Sequence, residues 1–414
     1  VDFLWVILAL TLVRGVIYAV LNPPFGSPDE LAHYEYVRAL GSGAGDRGVE
    51  SHQPVLYYAL MVPAYWLTAG AAPETQDLAI RLASLPFLLG VVLFTWLAAR
   101  RMAPGKPFVP VVAAALVGLH PQLAYIGASA NNDNAANLMG AVLTYLVVQL
   151  LSGDVSRRTI FVMIFAVGAS LVTKGQILPM AALSLLMGFG AALAAGSGEV
   201  RWALTTAGGL LAIAGALLLR TSGGAATLTD SSGVLSVVGE LPKAQGLADQ
   251  SGAGSLAFLF GSLWASFVVD SVQPNPVWYL GPTAVVVLAA VGHLARLAAP
   301  VRPNTAVSLH PIILRLALGS MVVGCLVAVY LRYLDSFRAP FPYAHETLLQ
   351  GRFLFVALPA LALLVADGLD ALAGRLAGGR LVSRAVAAAV VGLAAFDLAS
   401  LLSLSGWYGW LAAG

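Results

Sequence analysis

Apolar runs of about 17–25 residues, the length that crosses a bilayer as an α-helix, recur along the whole chain. They lie near 3–21, 78–99, 108–127, 136–151, 158–173, 177–195, 202–219, 277–297, 311–333, 352–373 and 384–404. Little charge is left between them. Of 414 residues, 59% are hydrophobic and only 10% are Asp, Glu, Lys or Arg, against roughly 25% charged in a soluble domain. Such a chain cannot solvate a globular surface. A cytosolic enzyme, a secreted disulfide scaffold, a disordered chain and a nucleic-acid binder with a basic face are excluded. The single cysteine, Cys325, has no partner for an internal disulfide. The expected fold is an all-α polytopic membrane bundle, with 1–414 as one transmembrane domain.

The few charges set the orientation. Arg100, Arg101 and Lys106 follow the 78–99 run, and Arg157 and Arg158 follow 136–151. Arg201 precedes 202–219, Arg296 and Arg302 follow 277–297, and Arg375, Arg380 and Arg384 lie between the last two runs. The positive-inside rule places all of these in the cytoplasm. Parity then holds if two further apolar runs, 54–69 and 256–270, do not fully cross. The first contains Pro63 and carries Tyr57, Tyr58, Tyr65 and Trp66, an interfacial composition. The reading is about eleven spans, thirteen if both runs cross, with the N-terminus inside and outer interfacial helices. No cleavage pattern follows the first run, which reads as a retained anchor. Two outer segments, 22–77 and 220–276, are too long for connectors. Gly- and Ser-rich stretches at 221–233 and 246–255 suggest a mobile loop.

The first outer loop carries the densest chemistry. After Asn22-Pro23-Pro24, where the prolines stop the first helix, come Ser27-Pro28-Asp29-Glu30 and then His33, Tyr34 and Arg38. A short helix starting near Pro28, capped by Ser27 or Asp29, puts Glu30, His33, Tyr34 and Arg38 at helical spacing. Asp29 then stands at the membrane–water boundary, where a fixed carboxylate can act as general base on a hydroxyl. Glu30 or His33 would tune or orient it. The alternative is that Asp29 and Glu30 only cap the helix.

These residues resemble a known pattern. An acidic pair just outside the first helix is similar to the first-loop motif of the GT-C glycosyltransferases, multispanning enzymes that use polyprenyl-phosphate sugars. PDELAHYEYVRAL (28–40) looks most like the DUF2142 branch, and SLWASF (262–267) resembles a segment of the same branch. HQPVLYYAL (His52 to Leu60) is similar to a segment of the aminoarabinose- and mannosyl-transferase-like members, as are TKGQILP (Thr173 to Pro179) and QGRFLFVALPALALL (Gln350 to Leu364). The resemblance implies a GT-C-like bundle, Asp29 and Glu30 as catalytic carboxylates, and a lipid-linked sugar donor.

An anionic donor phosphate at headgroup depth needs a cation, preferably the fork of an arginine. Arg352, Lys174 and Arg81 sit at outer helix ends and are the candidates, Arg352 first. Their alternative is snorkelling to the interface. His33, Tyr34, His52, Tyr57, Tyr58 and His345 are candidate substrate contacts. The outer turn Asn131-Asn132-Asp133-Asn134 reads as structural, since Asn and Asp favour turns. Arg14 and Asp397 fall inside the first and last helices and invite mutual pairing. No His pair has zinc-site spacing. Asp29 and Glu30 are the ligands on offer if a divalent ion such as Mg or Mn takes part.

The expected function is an inverting glycosyltransferase of a bacterial plasma membrane, working on the outer face. Its partners would be a polyprenyl-phosphate-sugar donor, a cell-envelope glycan, glycolipid or protein as acceptor, and the bilayer. Three lysines against nineteen arginines, with abundant Ala and Gly, suggest the bacterial source. A flippase or transporter for lipid-linked sugars would need charges at the midplane and two related halves. A polymerase or ligase using lipid-diphosphate donors would favour a large outer loop rich in Arg and His. Proximity of Asp29 and Arg352 discriminates: apart by tens of ångströms, they cannot serve one transfer.

Overall fold

The computed structural model describes residues 3–44, 48–194, 252–267, 272–297, 310–336, 349–375, 379–407 and 409. The 202–219 run, most of 220–276, Arg201, and His345 with its neighbours lie outside the described residues.

Fourteen helices are described. The first group is α1 (Phe3–Leu21), α2 (Glu30–Ser42), α3 (Leu56–Leu67), α4 (Pro73–Met102), α5 (Phe108–Gly118), α6 (Pro121–Gly127) and α7 (Asp133–Leu151). The second is α8 (Arg157–Leu171), α9 (Leu178–Ala194), α10 (Gly252–Trp264), α11 (Leu280–Leu297), α12 (His310–Ser336), α13 (Leu358–Arg375) and α14 (Gly379–Trp407). Among the described residues there is no strand, only an isolated bridge between Phe267 and Val272.

Eight helices are long and apolar enough to cross a membrane, and α5 with α6 makes a ninth if the 59° bend between them is counted as one broken span. The chain is a multi-pass membrane protein. The difference from eleven has two sources. The 202–219 run is not described, and the 158–173 run forms only the 15 residues of α8, about 22 Å at 1.5 Å per residue. The two doubtful runs appear as α3 and α10, of 12 and 13 residues. At about 18–20 Å both fall short of a hydrocarbon core of roughly 30 Å. The bend after α5 has a local cause. Pro121 cannot donate into the preceding turn, and the His120 imidazole instead accepts from the Leu123 N–H at 3.2 Å.

Two close approaches position the functional end. A Cβ on Gly140 of α7 would lie 2.0 Å from the Val356 carbonyl oxygen, and one on Gly351 would lie 2.2 Å from the Leu263 nitrogen. Only glycine lets α7 and α10 press against the 3₁₀ segment Gly351–Ala357, which carries Arg352. Deeper in the bundle, Arg14 pairs with Asp397 through two nitrogens and donates to the Gly118 carbonyl, while Tyr18 donates to Asp397 at 3.1 Å. α1, α5 and α14 are thus tied together inside the apolar layer, as the isolated charges required.

Breaking a buried pair by removing one partner costs about 3–5 kcal/mol, because the other charge stays buried. Arg14→Met and Asp397→Leu should each lower the unfolding temperature in detergent, and the double variant should lose less than the sum of the two. Strict additivity in that cycle would show that the pair does not couple the helices.

Candidate functional site

The loop between α1 and α2 is built around one buried ion pair. Arg81 of α4, 2% exposed, donates from Nε to Glu30 Oε1 at 2.8 Å and from Nη2 to Glu30 Oε2 at 2.7 Å. The same guanidinium donates to the carbonyls of Ala19 at 3.0 Å, Asn22 at 2.6 Å and Pro23 at 2.6 Å, and contacts Asp77 at 2.9 Å. These are the carbonyls left open where the prolines end α1. The Glu30 carboxylate also accepts from the Ser27 N–H at 3.0 Å and from the Ala130 N–H at 2.9 Å. Both oxygens of Glu30 and the whole fork of Arg81 are therefore consumed inside the protein. Their geometry is that of a strut, although their positions suggested catalysis for Glu30 and phosphate binding for Arg81.

The strut leaves Asp29 free. Asp29 has φ 61°, and its side chain makes no capping bond to α2. A non-glycine residue in this left-handed region costs on the order of 1–3 kcal/mol unless its surroundings enforce it. The carboxylate is 55% exposed and accepts from Arg352 Nη2 at 3.1 Å.

Arg352 starts the 3₁₀ segment, anchored where the Gly351 N–H donates to Ser262 Oγ at 2.9 Å. Its side chain is 10% exposed, and its guanidinium lies 5.1 Å from the Phe353 ring centroid. Nε and Nη1 are buried without a hydrogen-bond partner, as is Oδ2 of Asp133, which stands 4.0 Å from Nη1. Asp133 is fully buried at the start of α7. Its Oδ1 accepts from Lys174 Nζ at 2.6 Å and from Gln176 Nε2 at 2.8 Å. Asp29, Arg352, Asp133 and Lys174 thus form a row of alternating charge drawn from four separate segments.

Asp133 was hidden among asparagines, and its neighbours do have the structural work expected of that turn. Asn131 Nδ2 donates to the Pro28 carbonyl at 3.2 Å, and its Oδ1 accepts from the Asp133 N–H at 2.9 Å. Asn134 donates to the Ser129 carbonyl at 2.9 Å. The available signal was a carboxylate at an outer helix start, in a chain where one lysine of three stood at another outer turn.

His33 borders this row. Its Nδ1 is 2.9 Å from the Tyr58 hydroxyl. Burial first, then the Lys174 charge, pushes its pKa down to about 3, so the imidazole is neutral at physiological pH. Tyr58 is held protonated by burial. The remaining candidates point elsewhere. Tyr34 donates to Gln76 at 2.6 Å, and Tyr57 shares a 2.9 Å hydrogen bond with Ser84. His52 sits in a short 3₁₀ turn, exposed, with Nδ1 on the Val49 carbonyl. His345 lies outside the described residues.

No family model matches the sequence, and no curated protein matches it. Solved structures do. The chain superposes on ArnT from Cupriavidus metallidurans in the apo state with a TM-score of 0.53 and 15% identity, over 97% of this chain and 76% of that one. It superposes on the Archaeoglobus fulgidus oligosaccharyltransferase, in a complex with zinc and sulfate, with a TM-score of 0.51 and 14% identity, over 96% of this chain and 53% of that one. The chain shares the fold of these two proteins. The chain spans about half the length of the archaeal enzyme.

As a metal site the cluster is a poor match. Among the described residues no three His, Cys, Asp or Glu side chains are grouped to hold an ion. Glu30 would have to leave Arg81, and Asp29 and Asp133 already face cations. The spare guanidinium N–H groups suit an anion.

The division between strut and site is measurable. Glu30→Gln should destabilise the protein by about 1–3 kcal/mol, because one carboxylate oxygen becomes an amide NH2 that faces the donors of Arg81 and the backbone, while Asp77 still balances the Arg81 charge. Asp29→Asn should be close to neutral, since asparagine tolerates the left-handed region. Thermal unfolding of both variants in one detergent compares them, and equal losses would contradict this partition.

Proposed function

We propose that this protein is an inverting glycosyltransferase that moves a sugar from a polyprenyl-phosphate donor to a cell-envelope acceptor on the outer face of a bacterial plasma membrane. The observation that carries the reading is the 3.1 Å contact between an exposed carboxylate, Asp29, and an arginine, Arg352, with N–H groups to spare. The GT-C fold supports it by analogy, and one neighbour is an oligosaccharyltransferase. The PDELAHYEYVRAL and SLWASF motifs support the DUF2142-like branch.

In this mechanism Arg352 receives the donor phosphate through Nη2, on the edge of the fork that faces Asp29. Asp133, with Lys174 and Gln176 behind it, holds the guanidinium from the far side. Without donor, Asp29 accepts a hydrogen bond from Arg352 Nη2. Phosphate competes for the guanidinium, so donor binding releases the base. Asp29 then takes the proton of the acceptor hydroxyl as that oxygen attacks the anomeric carbon. The bond to the phosphate oxygen breaks, and its electrons leave on polyprenyl phosphate, which remains beside Arg352. The neutral His33–Tyr58 pair offers hydrogen bonds to sugar or acceptor hydroxyls without adding charge. A transporter reading finds no support in Arg14 and Asp397, which neutralise each other.

With purified protein, a panel of defined lipid-monophosphate and lipid-diphosphate sugars tests the reading and identifies the donor class. Asp29→Asn should keep the fold and lower turnover by about 10²–10⁴, the usual worth of a general base; full activity would remove Asp29 from that role. Arg352→Ala should weaken donor binding roughly ten- to a hundredfold, matching the loss of charged hydrogen bonds, and barely change acceptor KM. A defect confined to the acceptor would take Arg352 out of the phosphate site.

A further inference from the structure

α4 is 30 residues long. At 1.5 Å per residue, Arg100 lies about 28 Å along it from Arg81, close to one hydrocarbon thickness. Its far end therefore reaches the membrane boundary opposite Asp29. There a cavity of about 600 Å³ opens between the end of α4, the 103–107 loop and the start of α5. Gly105, at φ 79°, turns the chain around it.

The lining has two unmatched polar groups over an apolar wall. Arg100 is exposed and has no partner among the described residues. Trp96 is 6% exposed, and its indole N–H has no hydrogen-bond acceptor. Lys106 also lines the cavity and contributes in part, because Asp370 pairs with it at 2.5 Å. Phe3, Ala103 and Val111 form the apolar side. The net positive rim calls for an anion, and the apolar wall at headgroup depth calls for an anion attached to acyl chains.

We propose that this cavity binds the headgroup of an anionic phospholipid from the leaflet opposite the active site. Arg100 takes the phosphodiester through its planar fork. Lys106 adds charge at the rim. The Trp96 N–H is available to a glycerol or ester oxygen, and the acyl chains follow the apolar wall. Basic pockets between membrane helices are suited to such headgroups. This site is independent of the glycosyltransferase reading and uses none of its residues.

The test is lipid retention on the purified protein, by native mass spectrometry and by titration with phosphatidylglycerol or phosphatidylcholine in mixed micelles. Phosphatidylglycerol should be retained in preference. Arg100→Ala should weaken it about fivefold, equivalent to about 1 kcal/mol for a basic residue near an anionic surface. Trp96→Phe, which keeps the ring and deletes the donor, should weaken it as well. Arg100→Gln preserves the stem and covers the case in which the alanine variant is unstable, as judged by unfolding in phosphatidylcholine. Equal retention of the two lipids, or phosphatidylglycerol binding unchanged in the variants, overturns the proposal. Displacement of phosphatidylglycerol by inorganic phosphate also overturns it, by showing a site for soluble phosphate.

Discussion

The Glu30–Arg81 pair is the interaction on which the outer end of this protein depends. A buried guanidinium with five donors and a buried carboxylate with two fully used oxygens is expensive to assemble. It persists here because the chain surrounds it with the groups left over from ending one helix and starting another. Carbonyls from the end of α1 and N–H groups from Ser27 and Ala130 complete the shell. One pair therefore fixes where the first helix stops, where α2 begins and how the 128–134 turn lies against both. The left-handed backbone of Asp29 is held between these fixed points.

Much of the fold was legible in the sequence because a bilayer makes it so. A helix is the obvious way to satisfy a backbone in hydrocarbon, so long apolar runs translate directly into α1, α4, α7 and α11 to α14. Legibility falls where length alone does not decide. α3 and α10 contain enough apolar residues to resemble spans, and the structure gives them 12 and 13 residues. α8 had the opposite problem, since its run suggested a full crossing and its helix has 15. The pairing of Arg14 with Asp397 was readable because an intramembrane charge has so few solutions.

The site was legible in part, for a reason that lies in hydrogen-bond accounting. Asp29 and Arg352 stood out because each interrupts an apolar pattern at a helix end, and they meet. Glu30 and Arg81 interrupt it just as clearly, yet their capacity is spent on backbone groups that no sequence pattern displays. Asp133 was concealed for the converse reason: its neighbours Asn131 and Asn134 are turn residues, and the carboxylate among them faces the cations. Sequence marks where polar groups are. It does not say which of them still have bonds to give.

The row Asp29–Arg352–Asp133–Lys174 joins distant parts of the chain, with Asp29 and Arg352 separated by 323 positions. A protein is synthesised from its N-terminus at roughly 5–20 residues per second. For most of that time the loop between α1 and α2 exists without its arginine. The row of charges is complete only when the Gly351 segment packs against α7 and α10, after the greater part of the bundle has been made. A partly made chain therefore carries Asp29 without its cation, and the pairing arrives together with the helices that enclose it.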